Sequence, residues 1–273
     1  MAHPQISAFA RLANGNEPAN RIIAGQATKL ARTMHDIRYD AIHDELIVPN
    51  QFAQAILTFR GGADGEEAPI RIIQGSRTQL KRPDRMDVDP IHNEIFVPNS
   101  GSILVFDREA NGNVAPIRVI RGPSTQLSPR PPNAIAVDPV NNLIIVPSIV
   151  GDDQYQSILI FNRTDDGDVA PKAIIRGSRT GIIQLNQIQV YPPRGWIIAT
   201  QPGPDDELLP GATFVGIWSI HDKGNVAPRW KIGGPKSTLK KPRGVALDPE
   251  NKEIIVADMR LNAVLTYYFP EIF

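Results

Sequence analysis

The stretch Val105–Gly122, VFDREANGNVAPIRVIRG, decides the fold. A short apolar run leads to a turn at Asn111-Gly112, and after Pro116 a second apolar run ends on glycine. Asn-Gly between two such runs signals a β-hairpin, because glycine accepts the positive φ that a tight turn demands. Four other segments follow the same plan: Ala8–Gly25 (AFARLANGNEPANRIIAG), Thr58–Gly75 (TFRGGADGEEAPIRIIQG), Ile160–Gly177 (IFNRTDDGDVAPKAIIRG) and Ile217–Gly234 (IWSIHDKGNVAPRWKIGG). The turn glycines Gly15, Gly65, Gly112, Gly167 and Gly224 are spaced by 50, 47, 55 and 57 residues, and a closing glycine follows each by ten residues. A recurring period of this size marks a repeat architecture.

Each closing glycine leads into a polar loop with a threonine (Thr28, Thr78, Thr125, Thr180, Thr238) and then an alternating segment. These segments begin at Asp36 (DIRYD), Arg85 (RMDVD), Ala134 (AIAVD), Gln187 (QIQVY) and Gly244 (GVALD). Their period of two predicts strands, with Ile37 and Tyr39 or Val245 and Leu247 on one face and small or polar residues on the other. Asp-Pro turns follow at Asp89, Asp138 and Asp248, where proline presets the dihedral and aspartate bonds the backbone. The next run in each unit is wholly apolar, such as LIIV at Leu143, as expected of a strand covered on both faces. A third strand then enters the hairpin, which supplies strands three and four.

Four antiparallel strands with two faces to cover are stable only when stacked, and radial stacking about an axis covers them all. The expected fold is all-β: a five-bladed β-propeller of four-stranded blades, occupying residues 1–273 as one domain. The last unit lacks a fourth strand, so Asn20–Gly25 is expected to complete the C-terminal blade. Ile6–Ala10 and Ala263–Tyr268 compete to be the third strand of that closing blade. A six-bladed ring is the alternative, although no sixth pair of inner strands is present.

Hydrophobic residues make up 41% of the chain and charged residues 21%, enough to build a core. There is no cysteine, which removes disulfides, thiolate metal sites and thiol nucleophiles. The opening MAHPQISAF lacks a basic and an apolar region, so no signal peptide is visible, and no run reaches the ~18 apolar residues of a membrane span. The chain reads as soluble, cytoplasmic as written or secreted if a native leader was removed.

The segment Arg243–Tyr268, RGVALDPENKEIIVADMRLNAVLTYY, resembles an NHL repeat, in which an inner strand ending in Asp-Pro leads to a buried strand and a polar loop. The GNVAP hairpin is similar to that of a bacterial subset of such propellers. The likeness runs through nearly the whole chain and weakens in the fourth unit, where Gln201–Ala212 is inserted. It implies a propeller that binds other molecules, in a family holding enzymes and non-enzymes; six blades are usual there, and five would depart from that.

In a propeller the loops leading into strand one share a face with those leaving strand two. The former carry Arg77, Lys81, Arg82, Lys236, Lys240, Lys241 and Arg243, while Asp44, Glu45, Glu94 and Glu109 fall on the opposite side. A net charge of zero thus conceals two oppositely charged faces. The expected function is a non-catalytic binding propeller that engages an anionic ligand, polymer or partner protein through Lys81, Arg82, Lys240, Lys241 and Arg243. Nucleic acid fits less well, because these loops lack stacking aromatics. The bland alternative is that they are solvated loop charges.

Asp84, Asn133, Asn186 and Asp258 surround the expected axis, and carboxylate and amide oxygens around a channel suit a hard cation such as Ca²⁺. With His35 as a base they would describe a divalent-metal lactonase or esterase, the enzymatic alternative to the binding reading. The same residue types also cap turns, which accounts for their recurrence without a metal. No GxSxG elbow, HExxH or phosphate loop is present. Asp36, Arg38, Arg85 and Asp87 are expected to pair with one another, since isolated buried charges are costly. A third reading makes the chain a subunit of a larger assembly, docked through Gln201–Ala212.

Overall fold

The structure, a computed structural model, describes residues 4–32, 34–129, 134–151, 155–203 and 211–273. It is a five-bladed β-propeller, and among the described residues there is no α-helix. A two-stranded hairpin comes first, β1 (Gln5–Ala8) with β2 (Arg21–Ala24). The first sheet holds β3 (Arg38–Asp40), β4 (Glu45–Asn50), β5 (Ala55–Arg60) and β6 (Arg71–Gln74), and the second β7 (Asp87–Asp89), β8 (Glu94–Asn99), β9 (Ser102–Asp107) and β10 (Arg118–Arg121). The third holds β11 (Ala136–Asp138), β12 (Leu143–Ile149), β13 (Gln156–Asn162) and β14 (Ala173–Ile175), and the fourth β15 (Gln187–Tyr191), β16 (Trp196–Gln201), β17 (Phe214–Ser219) and β18 (Trp230–Gly233). The fifth has three strands, β19 (Pro242–Asp248), β20 (Glu253–Asp258) and β21 (Ala263–Tyr268).

Arg21–Ala24 pairs in register with Gln5–Ala8, from Ala8↔Arg21 to Gln5↔Ala24. Among the described residues β21 is flanked by β20 alone. Both candidates for the third strand therefore exist, one in each sheet. A local hairpin closes a short loop, which costs less entropy than joining the two ends of a long chain.

By its contacts the chain divides into two compact units, residues 1–99 with 104–117, and residues 100–103 with 118–273. In the first unit Ile23, Val48, Leu57 and Phe59 form a buried cluster, with Ile6 and Leu46 packed against it. In the second, Ile145, Ile160, Ile188 and Trp218 form one core and Ile198, Ile217, Val256 and Ile272 another. Each such side chain stabilises the fold by roughly 1.5–3 kcal/mol relative to exposure. The turn between strands one and two is held by its aspartate as expected: Asp138 Oδ1 accepts from Val140 N (3.1 Å) and Asn141 N (2.8 Å), and Asp40 Oδ1 from Ile42 N and His43 N.

Repeats are fastened to one another by the hairpin turn. Gly112 N donates to Ile72 O (2.6 Å), and Gln74 N donates to Gly112 O (3.1 Å), which bridges the turn to the outer strand of the preceding sheet. Asn111 Oδ1 accepts from Ile72 N (2.9 Å) and Asn113 Oδ1 from Arg77 N (2.7 Å) at the start of the 3-10 turn Ser76–Thr78. Gly75 lies between these groups at φ 130°, and a Cβ there would come within 2.5 Å of the Asn113 side chain. The same fastening recurs at β2 with Asp64, Gly65 and Glu66, and at β10 with Asp166, Gly167 and Asp168. At β14 it uses Gly224 and Asn225. The shared plan of the repeat thus has a mechanical cause: the turn residues serve the neighbouring sheet as well as their own.

Candidate functional site

The loops that lead into strand one are built alike. The closing-glycine carbonyl accepts from a hydroxyl three residues on: Thr28, Thr78, Thr125 and Thr180 at 2.6–2.7 Å, and in the last repeat Ser237 at 2.8 Å rather than the expected Thr238. The chain then passes through a left-handed residue such as Gln79 (φ 60°). A side chain from the end of strand two clamps this residue and the next ones. Asn99 Nδ2 donates to Gln79 O (3.2 Å), and its Oδ1 accepts from Lys81 N (3.0 Å). Ser148 does the same for Gln126 O and Ser128 N, and Gln201 for Gly181 O and Ile183 N.

Asp258 is the clamp of the last repeat. Its Oδ2 accepts from Lys240 N (2.8 Å) and Lys241 N (2.9 Å), its Oδ1 from Arg260 N (3.0 Å) and Leu261 N (3.1 Å). Four backbone donors engage this carboxylate, which was a candidate metal ligand. Asn186 is buried, and its backbone N–H donates to Thr200 O (2.9 Å). Asp84 pairs with His35 Nδ1. Asn133 lies outside the described residues. Among the described residues no three His, Asp or Glu side chains converge as a metal-binding group.

The basic residues divide by burial. Lys81 and Arg82 are exposed in the first unit, and Lys240 is exposed in the second. Lys241 is only 6% exposed and Arg243 half-buried, so neither offers the free surface charge expected of it. On the acidic side, Glu45 is 7% exposed rather than solvated. Its Oε2 accepts from Arg71 Nη2 (2.5 Å) and Arg108 Nη1 (2.6 Å). The predicted buried network is present: Arg38 donates to Asp36 (Nη1, 2.7 Å) and to Asp87 (Nε, 2.7 Å), and Arg85 donates to His35 O. Burial raises the Asp36 carboxyl above its ordinary value of 3.8, although Arg38 and Arg85 pull the other way. Burial opposes the Arg38 charge, but Asp36 and Asp87 outweigh it and hold that guanidinium's pKa above the ordinary value.

An open cleft of about 430 Å³ in the first unit is lined by Gln54, Gln74, Ser76, Gln79 and Lys81, among others. Gln54 stands at φ 51° where the chain turns back into β5, and Gln74 Nε2 donates to Ala53 O (2.8 Å), joining the two walls. Lys81 stands out in the sequence by its charge, whereas these glutamines do not. Their signal was present all the same: Gln51, Gln54, Gln74 and Gln79 cluster in one repeat. Amide and ammonium donors of this kind suit the oxygens of an anionic group, the lysine acting as a point charge and the amides as directional donors.

Among the described residues no helix is long and apolar enough to cross a membrane. No family model matches the chain, and no curated protein matches it. Solved structures do. Kuenenia stuttgartiensis hydrazine synthase is similar in fold at a TM-score of 0.58 and 14% identity, over 83% of this chain and 56% of that one. The Myceliophteria thermophila Cps50 (Swd1) β-propeller domain is similar at a TM-score of 0.52 and 11% identity, over 81% of this chain and 60% of that one. This chain therefore spans little more than half the length of these two structures, and at such identity the likeness is one of fold: a β-propeller.

Proposed function

We infer that the protein is a non-catalytic binding propeller of NHL-like character that engages an anionic group on a ligand or partner macromolecule. One observation carries this reading: an exposed lysine, Lys81, beside a cleft walled by glutamine amides, with Arg82 next to it in sequence and also exposed. The polar groups that could have served chemistry are otherwise engaged, Asp258 by four backbone amides and Asn99 by the loop it clamps. Lys240 adds positive charge to the second unit, whereas Lys241 and Arg243 act within the fold rather than as first contacts. A positive site of this kind steers an anion from a distance, and its attraction weakens as salt screens it.

The test is titration of the full chain with a sulfated polysaccharide at several salt concentrations. Affinity falls as salt rises, and the double reversal Lys81→Glu/Arg82→Glu weakens binding about tenfold or more, since each ~1.4 kcal/mol is a factor of ten. Lys240→Glu tests the second unit separately. Binding that ignores salt, or survives the double reversal unchanged, overturns the reading.

A further inference from the structure

The cleft beside Lys81 exists because a hydrogen bond that straps two loops together in other blades is redirected there. In the second blade Gly101 N, just ahead of β9, donates to Ser128 O (3.1 Å). In the third Gln156 N, at the start of β13, donates to Ile183 O (3.1 Å). Each bond holds the loop after strand two against the loop that leads into the next blade. Gln54 and Lys81 occupy the equivalent positions in the first blade. Four residues link Asn50 to Ala55, where two link Asn99 to Ser102, and Gln54 N turns back to Gln51 O (3.4 Å). The loops part, and the gap between them is the cleft of about 430 Å³, lined wholly by residues of the first unit.

The lining selects its occupant. Backbone amides of the Lys81 loop are already engaged: Arg77 N donates to Asn113 Oδ1 (2.7 Å), Thr78 N to Gly75 O (3.1 Å), Leu80 N to Thr78 Oγ1 (3.3 Å) and Lys81 N to Asn99 Oδ1 (3.0 Å). Phosphate and sulfate are cradled by a nest of such amides or clamped by several cations. This cleft offers a single ammonium in its lining, which matches one carboxylate. Beside it stand the amides of Gln54, Gln74 and Gln79 and the Ser76 hydroxyl. An amide both donates and accepts, as a sugar hydroxyl does, so several amides together suit neighbouring hydroxyls. Ala53 and Leu80 add apolar surface for the C–H face of a ring. The walls are fixed before any ligand arrives, since Gln74 Nε2 donates to Ala53 O (2.8 Å) and Asn99 Nδ2 to Gln79 O (3.2 Å). The volume is of the size of small-molecule sites, about 300–1,000 Å³, and more than a lone ion fills.

We propose that this cleft binds a hexuronate, free or as one residue of a polyuronide, with its carboxylate on Lys81 Nζ and its hydroxyls on the amides of Gln54 and Gln74. This rests on the anionic-ligand reading above and narrows it to a carboxylated sugar.

Calorimetric titration of the full chain with trigalacturonate, and with the same trisaccharide after reduction of its carboxyl groups to alcohols, tests this. The acid binds, and the reduced form binds about tenfold more weakly or worse. Lys81→Gln removes the difference between the two sugars. Gln54→Asn, which keeps a residue tolerant of the φ of 51°, weakens both. Lys81 and Gln54 are exposed, so the variants fold, and the comparison of the two sugars on the unaltered chain does not depend on them. Galacturonate itself distinguishes the sources: equal affinity marks the free acid and weaker affinity the polymer, and both uphold the site. Equal binding of the acid and reduced sugars, or a preference that survives Lys81→Gln, overturns the proposal. If neither sugar binds while the sulfated polysaccharide still binds in a salt-dependent way, this proposal fails and the broader reading stands. If the polysaccharide fails too, both fall.

Discussion

Replacing Gly75 by alanine separates the two demands made on that position. Its backbone, at φ 130° and ψ 174°, lies in a region essentially reserved for glycine, and forcing alanine into it costs roughly 1–3 kcal/mol. The new Cβ would also fall 2.5 Å from Asn113 Cγ and Oδ1, so that side chain must leave. Its hydrogen bond to Arg77 N at 2.7 Å goes with it, which adds about 0.5–1.5 kcal/mol. Gly75→Ala should therefore cost roughly 2–4 kcal/mol. Gly234→Ala is the internal control. There φ is 84° and ψ −179°, so a backbone cost remains, but no side chain stands in the way. Urea denaturation of both variants, and of Gly75→Ala in an Asn113→Ala background, gives the comparison. The expected pattern is a larger loss for Gly75→Ala than for Gly234→Ala, and a smaller one once Asn113 is shortened. Equal losses at the two glycines, or no coupling between Gly75 and Asn113, would refute the claim that the turn of one repeat is fitted against the glycine of the previous one.

Three other perturbations are informative. Arg108→Ala leaves Glu45 buried with one cation fewer and should lower stability by about 3–5 kcal/mol in chemical denaturation; a loss below about 1 kcal/mol would mean that Glu45 readily reaches water. Asp258→Ala removes the acceptor from four amides; exchange at Lys240, Lys241, Arg260 and Leu261 should accelerate together, whereas chelator should leave those amides as protected as before. Slow exchange after the substitution, or chelator-induced exchange, would revive the metal-ligand role. The raised Asp36 carboxyl means that the folded state holds this proton more tightly than the unfolded one. Its contribution is full below the ordinary value of 3.8 and is lost as pH rises through the folded value. Asp36→Asn should flatten that part of the thermal-stability profile against pH, and an unchanged slope would assign it to another group.

The repeat, its strand order and the Asp-capped turns were legible because each depends on residues close in sequence. What escaped depends on distant neighbours. Glu45 reads as a surface acid, yet Arg108, 63 residues away, makes it a buried partner. Lys241 reads as a surface base beside Lys240, but in the loop just before β19 Lys241 is buried while Lys240 stays exposed. In the fourth repeat the clamp is Gln201, where the second and third use Asn99 and Ser148 and the last Asp258, so no single residue type marks the position in sequence.

Because the turns at Gly65, Gly112, Gly167 and Gly224 each latch onto the strand laid down one period earlier, the heritable module runs from one latch to the next and not from one sheet to the next. Duplicating or deleting a whole period carries a matching tongue and groove along with it, so blade number can change in evolution or by engineering without inventing any new joint. A cut made at a sheet boundary instead strands one half of every latch it severs.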